Sequence, residues 1–220
     1  MTINDNKTNL QATKPLLRGH LHQAFFFFSL GASIMLYMHL YQHQYALKLF
    51  IYLLSLNSLY LISTLYHRPN WNEVKRMIMR RLDHSAIFFL IAGTATPIIA
   101  LKLPDNINTD LQIANWTIAL LGVAVSLIWV KAPKIFNFFI YILAGCFWLI
   151  FLRQFYLTMN AFELSTLILG GVFYIFGAVF YATKKPNFIK NVFGYHELFH
   201  LFVILGSIAH FSLITYIYLN

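Results

Sequence analysis

The chain has little of what a soluble protein of its length needs. Only 10% of its 220 residues are charged, and Asp and Glu together number seven, whereas about a quarter of a soluble domain is charged. It has one cysteine, Cys146, set inside an apolar run, so there is no disulfide framework and no cysteine metal site. It has no internal repeat of the kind that marks an inverted-repeat transporter. It also lacks an arginine-aromatic platform or any nucleic-acid motif, so the formal charge of +9 does not imply a nucleic-acid partner. Nor does it open on a short apolar stretch with a small-residue cleavage site. Residues 1–17 are instead polar and rich in Asn, Thr and Lys, and read as a disordered tail ahead of a single domain over 18–220.

What is present is apolar. Hydrophobic residues make up 59% of the chain, with 22 Phe and 13 Tyr, more than a soluble fold of this size could hide. A hydrocarbon core takes about 20 helical residues to cross. Seven segments suffice, at 21–41, 46–66, 84–103, 112–131, 134–153, 162–182 and 196–218. The fold class is therefore an all-α membrane protein, a seven-transmembrane helix bundle. Turn chemistry such as Arg68-Pro69-Asn70 and Lys185-Pro186-Asn187 separates the spans.

Alternating sides of these spans divide the cations unequally, 13 Lys and Arg against three (Lys48, Lys102 and Arg153). The positive-inside rule puts the N-terminus in the cytoplasm and the C-terminus outside. In the second loop, Trp71 to Arg81 mixes apolar residues at helical spacing with cations. That pattern suits a short helix on the anionic inner leaflet, or plain charged flanks. Pro97 is expected to kink the third span. Gly170, Gly171 and Gly177 suit close helix packing. Asn57 and Asn115 read as interhelical hydrogen-bond formers.

The ionisable residues can then be sorted by depth. His67 ends the second span, with Ser63 one turn deeper on the same face. Asp83 and His84 open the third span. His196 and His200, four residues apart, share one face of the last span. His67, Asp83, His196 and His200 thus reach one membrane level near the cytoplasmic face. Ionisable groups in such segments usually mark a site or a buried contact. Taken singly, each would serve as an interfacial cap or loop contact. Together, three imidazoles and an open position match a catalytic zinc site, where bound water becomes hydroxide near neutral pH. Asp83 could then shuttle the proton, and Ser63 orient the water or an oxyanion.

Ser63-x-x-x-His67, Leu82-Asp83-His84-Ser85 with Leu90-Ile91-Ala92-Gly93-Thr94, and His196-x-x-x-His200 resemble the three motifs of the hemolysin III family. That family belongs with the progestin and adipoQ receptors, the adiponectin receptors among them, and more distantly with the alkaline ceramidases. The resemblance covers nearly the whole chain. It implies Zn2+ on His67, His196 and His200, with Asp83 and Ser63 as the catalytic groups beside the metal-bound water. Leu17 to His22 is similar to the family's first-span start, but the acidic residues common there are missing, and His22 is left outside the site. Ala95 stands where an aromatic is common.

His196-Glu197-Leu198-Phe199-His200 also fits H-E-x-x-H, the zinc motif in which the glutamate is a protease's general base. No Asp or Glu follows Glu197, and His210 lies too far on for a metzincin. Glu197 is expected to face water or basic head groups, and His210 to pack or line a pocket. The resulting expectation is a multi-pass protein of a bacterial-type inner (plasma) membrane. Its partners are membrane lipids and a lipid-like substrate or ligand, and its cytoplasm-facing zinc site hydrolyses a lipid-like amide. The alternatives are a non-enzymatic sensor or receptor with structural zinc, an intramembrane protease, and a cytolytic pore-former. The last fits poorly, because a seven-span chain would not be secreted in soluble form.

Overall fold

The computed structural model describes residues 14–129 and 132–220, apart from the side chains of Lys134 and Trp148. Most of the expected tail, residues 1–13, lies outside the described residues. The elements are α1 (His20–Leu40), α2 (Ala46–His67), α3 (Glu73–Lys102), α4 (Asp105–Ile128), α5 (Lys134–Cys146), a 3-10 turn (Phe147–Phe151), α6 (Leu152–Thr158), α7 (Ala161–Thr183) and α8 (Tyr195–Leu219). Among the described residues, seven spans are long and apolar enough to cross a membrane, the fifth running from α5 through the turn into α6. The chain is a multi-pass integral membrane protein with the expected seven-helix architecture.

Three spans differ from their expected bounds; the fourth starts at Asp105 rather than at 112. The third does not begin at residue 84, because the helix of the second loop and the span are one element of 30 residues. Asn72 starts it by accepting from the Lys75 amide at 2.9 Å, Glu73 sits in its first turn, and no glycine or proline follows until Gly93. With a good cap and no breaker, the helix simply continues. The fifth span was expected as one helix to residue 153. Instead it tightens into 3-10 geometry after Gly145 and Cys146 and ends at Thr158.

α1 packs on α2 and α8, α2 on α3, α3 on α4, and α7 on α8, while α5 bridges α3 and α7. The centre is built from Leu49, Tyr52, Leu56 and Tyr60 of α2, Ile98 and Ile99 of α3, and Leu213 and Ile214 of α8. Large apolar residues such as Phe28, Met35, Leu120 and Leu121 stay on the outside, where lipid solvates them. Asn57 does link helices, through Ser29 Oγ at 3.0 Å and Ser33 Oγ at 2.8 Å on α1. Asn115 of α4 donates to the Ala92 carbonyl of α3 at 3.1 Å, and Gln112 to that of Thr96 at 2.7 Å. Both donors tie α4 to carbonyls of α3 close to Pro97.

The last residues before α1 are not free of the bundle. Leu16 and Leu17 donate their amides to the Asn191 and Val192 carbonyls of the α7–α8 loop, at 2.9 and 3.3 Å. Gly19 then turns the chain into α1 with φ of +81°. A Cβ there would lie 2.7 Å from that of His67, so glycine is needed on both counts.

Candidate metal centre

α2 ends where α8 begins, and both present histidine at that end. His67 closes α2, whereas His196 and His200 lie one above the other on α8. One ring nitrogen from each lies within 4.8 Å of the other two. His67 Nε2 and His196 Nε2 are 3.3 Å apart. The ring centroids are separated by 4.7 Å for His67 and His196, 4.6 Å for His196 and His200, and 5.0 Å for His67 and His200. His67 and His200 are buried and His196 half-buried.

These residues fit a metal ion. Two nitrogens at the corners of a tetrahedral centre with bonds of about 2.0–2.1 Å stand about 3.3 Å apart, which is the His67–His196 separation. The third nitrogen, within 4.8 Å of the other two, needs to close by up to about 1.5 Å to complete the same geometry. Three neutral imidazoles suit a borderline-soft divalent cation. The sequence-expected ligands are thus brought together by helices from opposite ends of the chain.

The catalytic candidates sit on the rim of the same space. Asp83 and Ser63 line a cavity of about 200 Å³ together with all three ligands. The Asp83 carboxylate has the Ser63 hydroxyl as its hydrogen-bonding neighbour and Arg80 as a nearby cation. Away from this polar end the wall is largely apolar, with Leu90 and Ala95 of α3, Phe138 and Ile142 of α5, and Ile175 and Ala178 of α7. Ala95 therefore does face the pocket. Gly171 also lines it, and a Cβ there would meet nothing within 4 Å. Of the glycine pair, only Gly170 makes a close contact, because its neighbour leaves room in the cavity.

His22, which no sequence motif places in the site, lies inside it. Its ring stacks on that of His200 at 3.7 Å, and its Nδ1 lies 2.8 Å from Ser63 Oγ. Tyr60 packs edge-on against its other side at 4.9 Å. His22 thus orients both a ligand and the hydroxyl. The available signal was depth, since it starts α1 at the level of the other histidines.

Glu197 does not face water or head groups, because it is 1% exposed. Arg18, brought over by the segment before α1, pairs with Oε1, and the Gly194 amide donates to Oε2 at 2.9 Å. The carboxylate closes the start of α8 and answers a half-buried cation. With both oxygens so engaged it is not placed as a general base, and the protease reading loses its key residue. The surroundings are strongly basic. Arg68 donates to His20 Nε2 at 2.7 Å, and Lys14 to the Arg68 carbonyl at 3.2 Å. Partial desolvation, followed by the Arg18, Arg68 and Arg76 charges, lowers the Lys14 amine below its ordinary value. His210 lies deeper, buried in the cavity wall, with Nε2 3.2 Å from the Leu167 carbonyl.

Residues 10–211 match the family described as haemolysin-III related. The chain is 34% identical over 166 residues to the hemolysin-3 homolog of Bacillus subtilis (strain 168), covering 76% of this chain and 75% of that protein. It is 31% identical over 191 residues to hemolysin-3 of Bacillus cereus, covering 86% and 84%. The human monocyte to macrophage differentiation factor is 26% identical over 178 residues, covering 76% and 69%. The chain belongs to the haemolysin-III related family.

Proposed function

We propose that this member of the haemolysin-III related family is a zinc-dependent hydrolase of a lipid-like amide reached from the bilayer. The 13-to-3 division of cations supports an N-terminus and a metal centre on the cytoplasmic side. One observation carries the reading. Three imidazole nitrogens meet a carboxylate and a hydroxyl at one end of a largely apolar cavity. His67, His196 and His200 would hold the ion. Zinc on three histidines with an open position activates water near neutral pH and polarises a carbonyl.

The chain's own groups do the rest. Asp83 takes the proton of the attacking water and returns it to the leaving amine. His22 donates from Nδ1 to Ser63 Oγ, which leaves the Ser63 proton for Asp83 or for the developing oxyanion. The apolar walls hold the hydrocarbon and exclude bulk water.

Purified wild type and Asp83→Asn would be assayed for metal content and for fatty-acid release from a panel of lipid amides. The expected result is full zinc in both, with turnover falling at least about 100-fold in the variant. Undiminished turnover in Asp83→Asn would remove it as the base. A second reading is a non-enzymatic membrane sensor. It is favoured by the way the ligands tie α2 to α8, so that an ion would steady the bundle with or without turnover. Full zinc with no hydrolysis of any amide would favour that reading.

A further inference from the structure

His210 lies ten residues beyond His200 on α8, roughly 15 Å along the axis, and therefore well inside the bilayer. A polar ring at that depth is costly and is normally kept for a purpose. It is 4% exposed and lines the same cavity as the metal centre, beside Gly171, Tyr174 and Val203.

Its protonation pattern follows from its neighbours. Nε2 lies 3.2 Å from the Leu167 carbonyl. A carbonyl can only accept, so Nε2 carries the hydrogen, and in the neutral ring Nδ1 is then a bare acceptor. That Nδ1 is buried and has no hydrogen-bond partner among the described residues. Tyr60 donates to Ser207 Oγ at 2.7 Å and Tyr174 lies 2.9 Å from the same atom, and none of these hydroxyls makes a hydrogen bond to Nδ1. The ring is also held in place. A Cβ at Gly170 would come within 2.3 Å of Nε2, so the imidazole fills a notch in α7 that only glycine leaves. Tyr174 packs against it at 5.5 Å.

We propose that His210 Nδ1 accepts a hydrogen bond from a hydroxyl carried midway along the chain of a lipid whose polar end lies at the metal centre. The proposal rests on the lipid reading given above and narrows it to a hydroxylated acyl chain. A ketone, ether or carboxylate at that point offers no hydrogen and gains nothing. A charged donor would have to lose its hydration among apolar walls. An acyl chain with a hydroxyl at the matching carbon satisfies both the walls and the orphan nitrogen.

The test uses the full chain in detergent and displacement of a fluorescent fatty acid. The competitors are stearic acid, a positional series of hydroxystearic acids, and the matching keto and methoxy acids. In wild type, one mid-chain hydroxyl position binds about three- to ten-fold more tightly than stearic acid, and its keto and methoxy counterparts do not. In His210→Phe the ratio of hydroxy to unsubstituted affinity falls to about one, the gain of a single hydrogen bond being lost. Metal content checks that the variant is folded. Nitrogen NMR of His210 in the wild type gives a second readout, because only the favoured hydroxy acid shifts Nδ1. A hydroxyl advantage that survives in His210→Phe overturns the proposal. So does a wild type that binds stearic acid and favours no hydroxyl position. If no fatty acid displaces the probe, the lipid reading itself fails.

Discussion

The two ends of the bundle are built on the same device and put it to different uses. At each end a helix starts on a buried glutamate three residues past its cap, and a cation from elsewhere in the chain answers the charge. Glu163 of α7 receives the Asn160 amide at 3.0 Å and Lys102 at 2.6 Å. Glu197 of α8 receives the Gly194 amide and Arg18. The difference is where the cation comes from. Lys102 ends α3, so that end is closed by the spans themselves. Arg18 comes from a short strap that lies outside any span and crosses from α2 to the α7–α8 loop. All three metal-ligand candidates sit beneath this strap on the two helices it joins. Closure at the metal end thus depends on a segment that is not itself part of the bundle.

Metal affinity is the sharpest way to separate the ends. His67→Ala and His200→Ala should each weaken zinc binding by more than about 100-fold, beyond what outer contacts contribute. Lys102→Met at the far end should leave it unchanged. A competition titration against a chelator reads both, and full affinity in His67→Ala would break the two-helix centre.

The paired glutamates come next. Glu197→Gln and Glu163→Gln should each cost about 2 kcal/mol, less than for a wholly buried pair because each cation keeps some contact with solvent. Thermal unfolding measures this loss. Only Glu197→Gln should also weaken zinc, by about ten-fold, through the first turn of α8. Equal metal affinity in the two variants would show that the strap does not position the ligands.

Smaller still, Gly19→Ala should cost about 1–2 kcal/mol at its left-handed φ and weaken zinc a few-fold by pressing on His67. Gly31→Ala, in open space on α1, should raise stability by up to about 1 kcal/mol and leave the metal centre alone. If Gly19→Ala behaves like Gly31→Ala in both assays, the contact with His67 carries no weight.

The sequence made the spans and the triad legible because hydropathy and a four-residue spacing are local signals. His67, His196 and His200 could be set at one depth by counting along helices. Other features were hidden because they depend on partners distant in the chain. Glu197 looked like an interfacial charge, since nothing near it in sequence reveals Arg18, 179 positions earlier. His22 lacked a motif partner because its neighbours, Ser63 and His200, lie on other helices. The helix of the second loop was legible as one of two alternatives, but its continuity with the third span was not. Its cations look like loop flanks, although Asn72 and the run without glycine or proline favour helix.

The unbroken α3 also gives the protein a fixed thickness. From Asp83, at the metal end, to Lys102, paired with Glu163, is nineteen steps of one helix, about 28 Å at its usual rise. That is close to the hydrocarbon depth of an ordinary bilayer, about 30 Å. A rod of set length between two charged rims cannot stretch to suit its host, so lipids of longer chain must thin around it or tilt the bundle. Either response changes how deep the histidines sit below the headgroups. The acyl-chain length of the surrounding membrane would therefore set how readily water reaches the candidate metal centre, with no change in any residue.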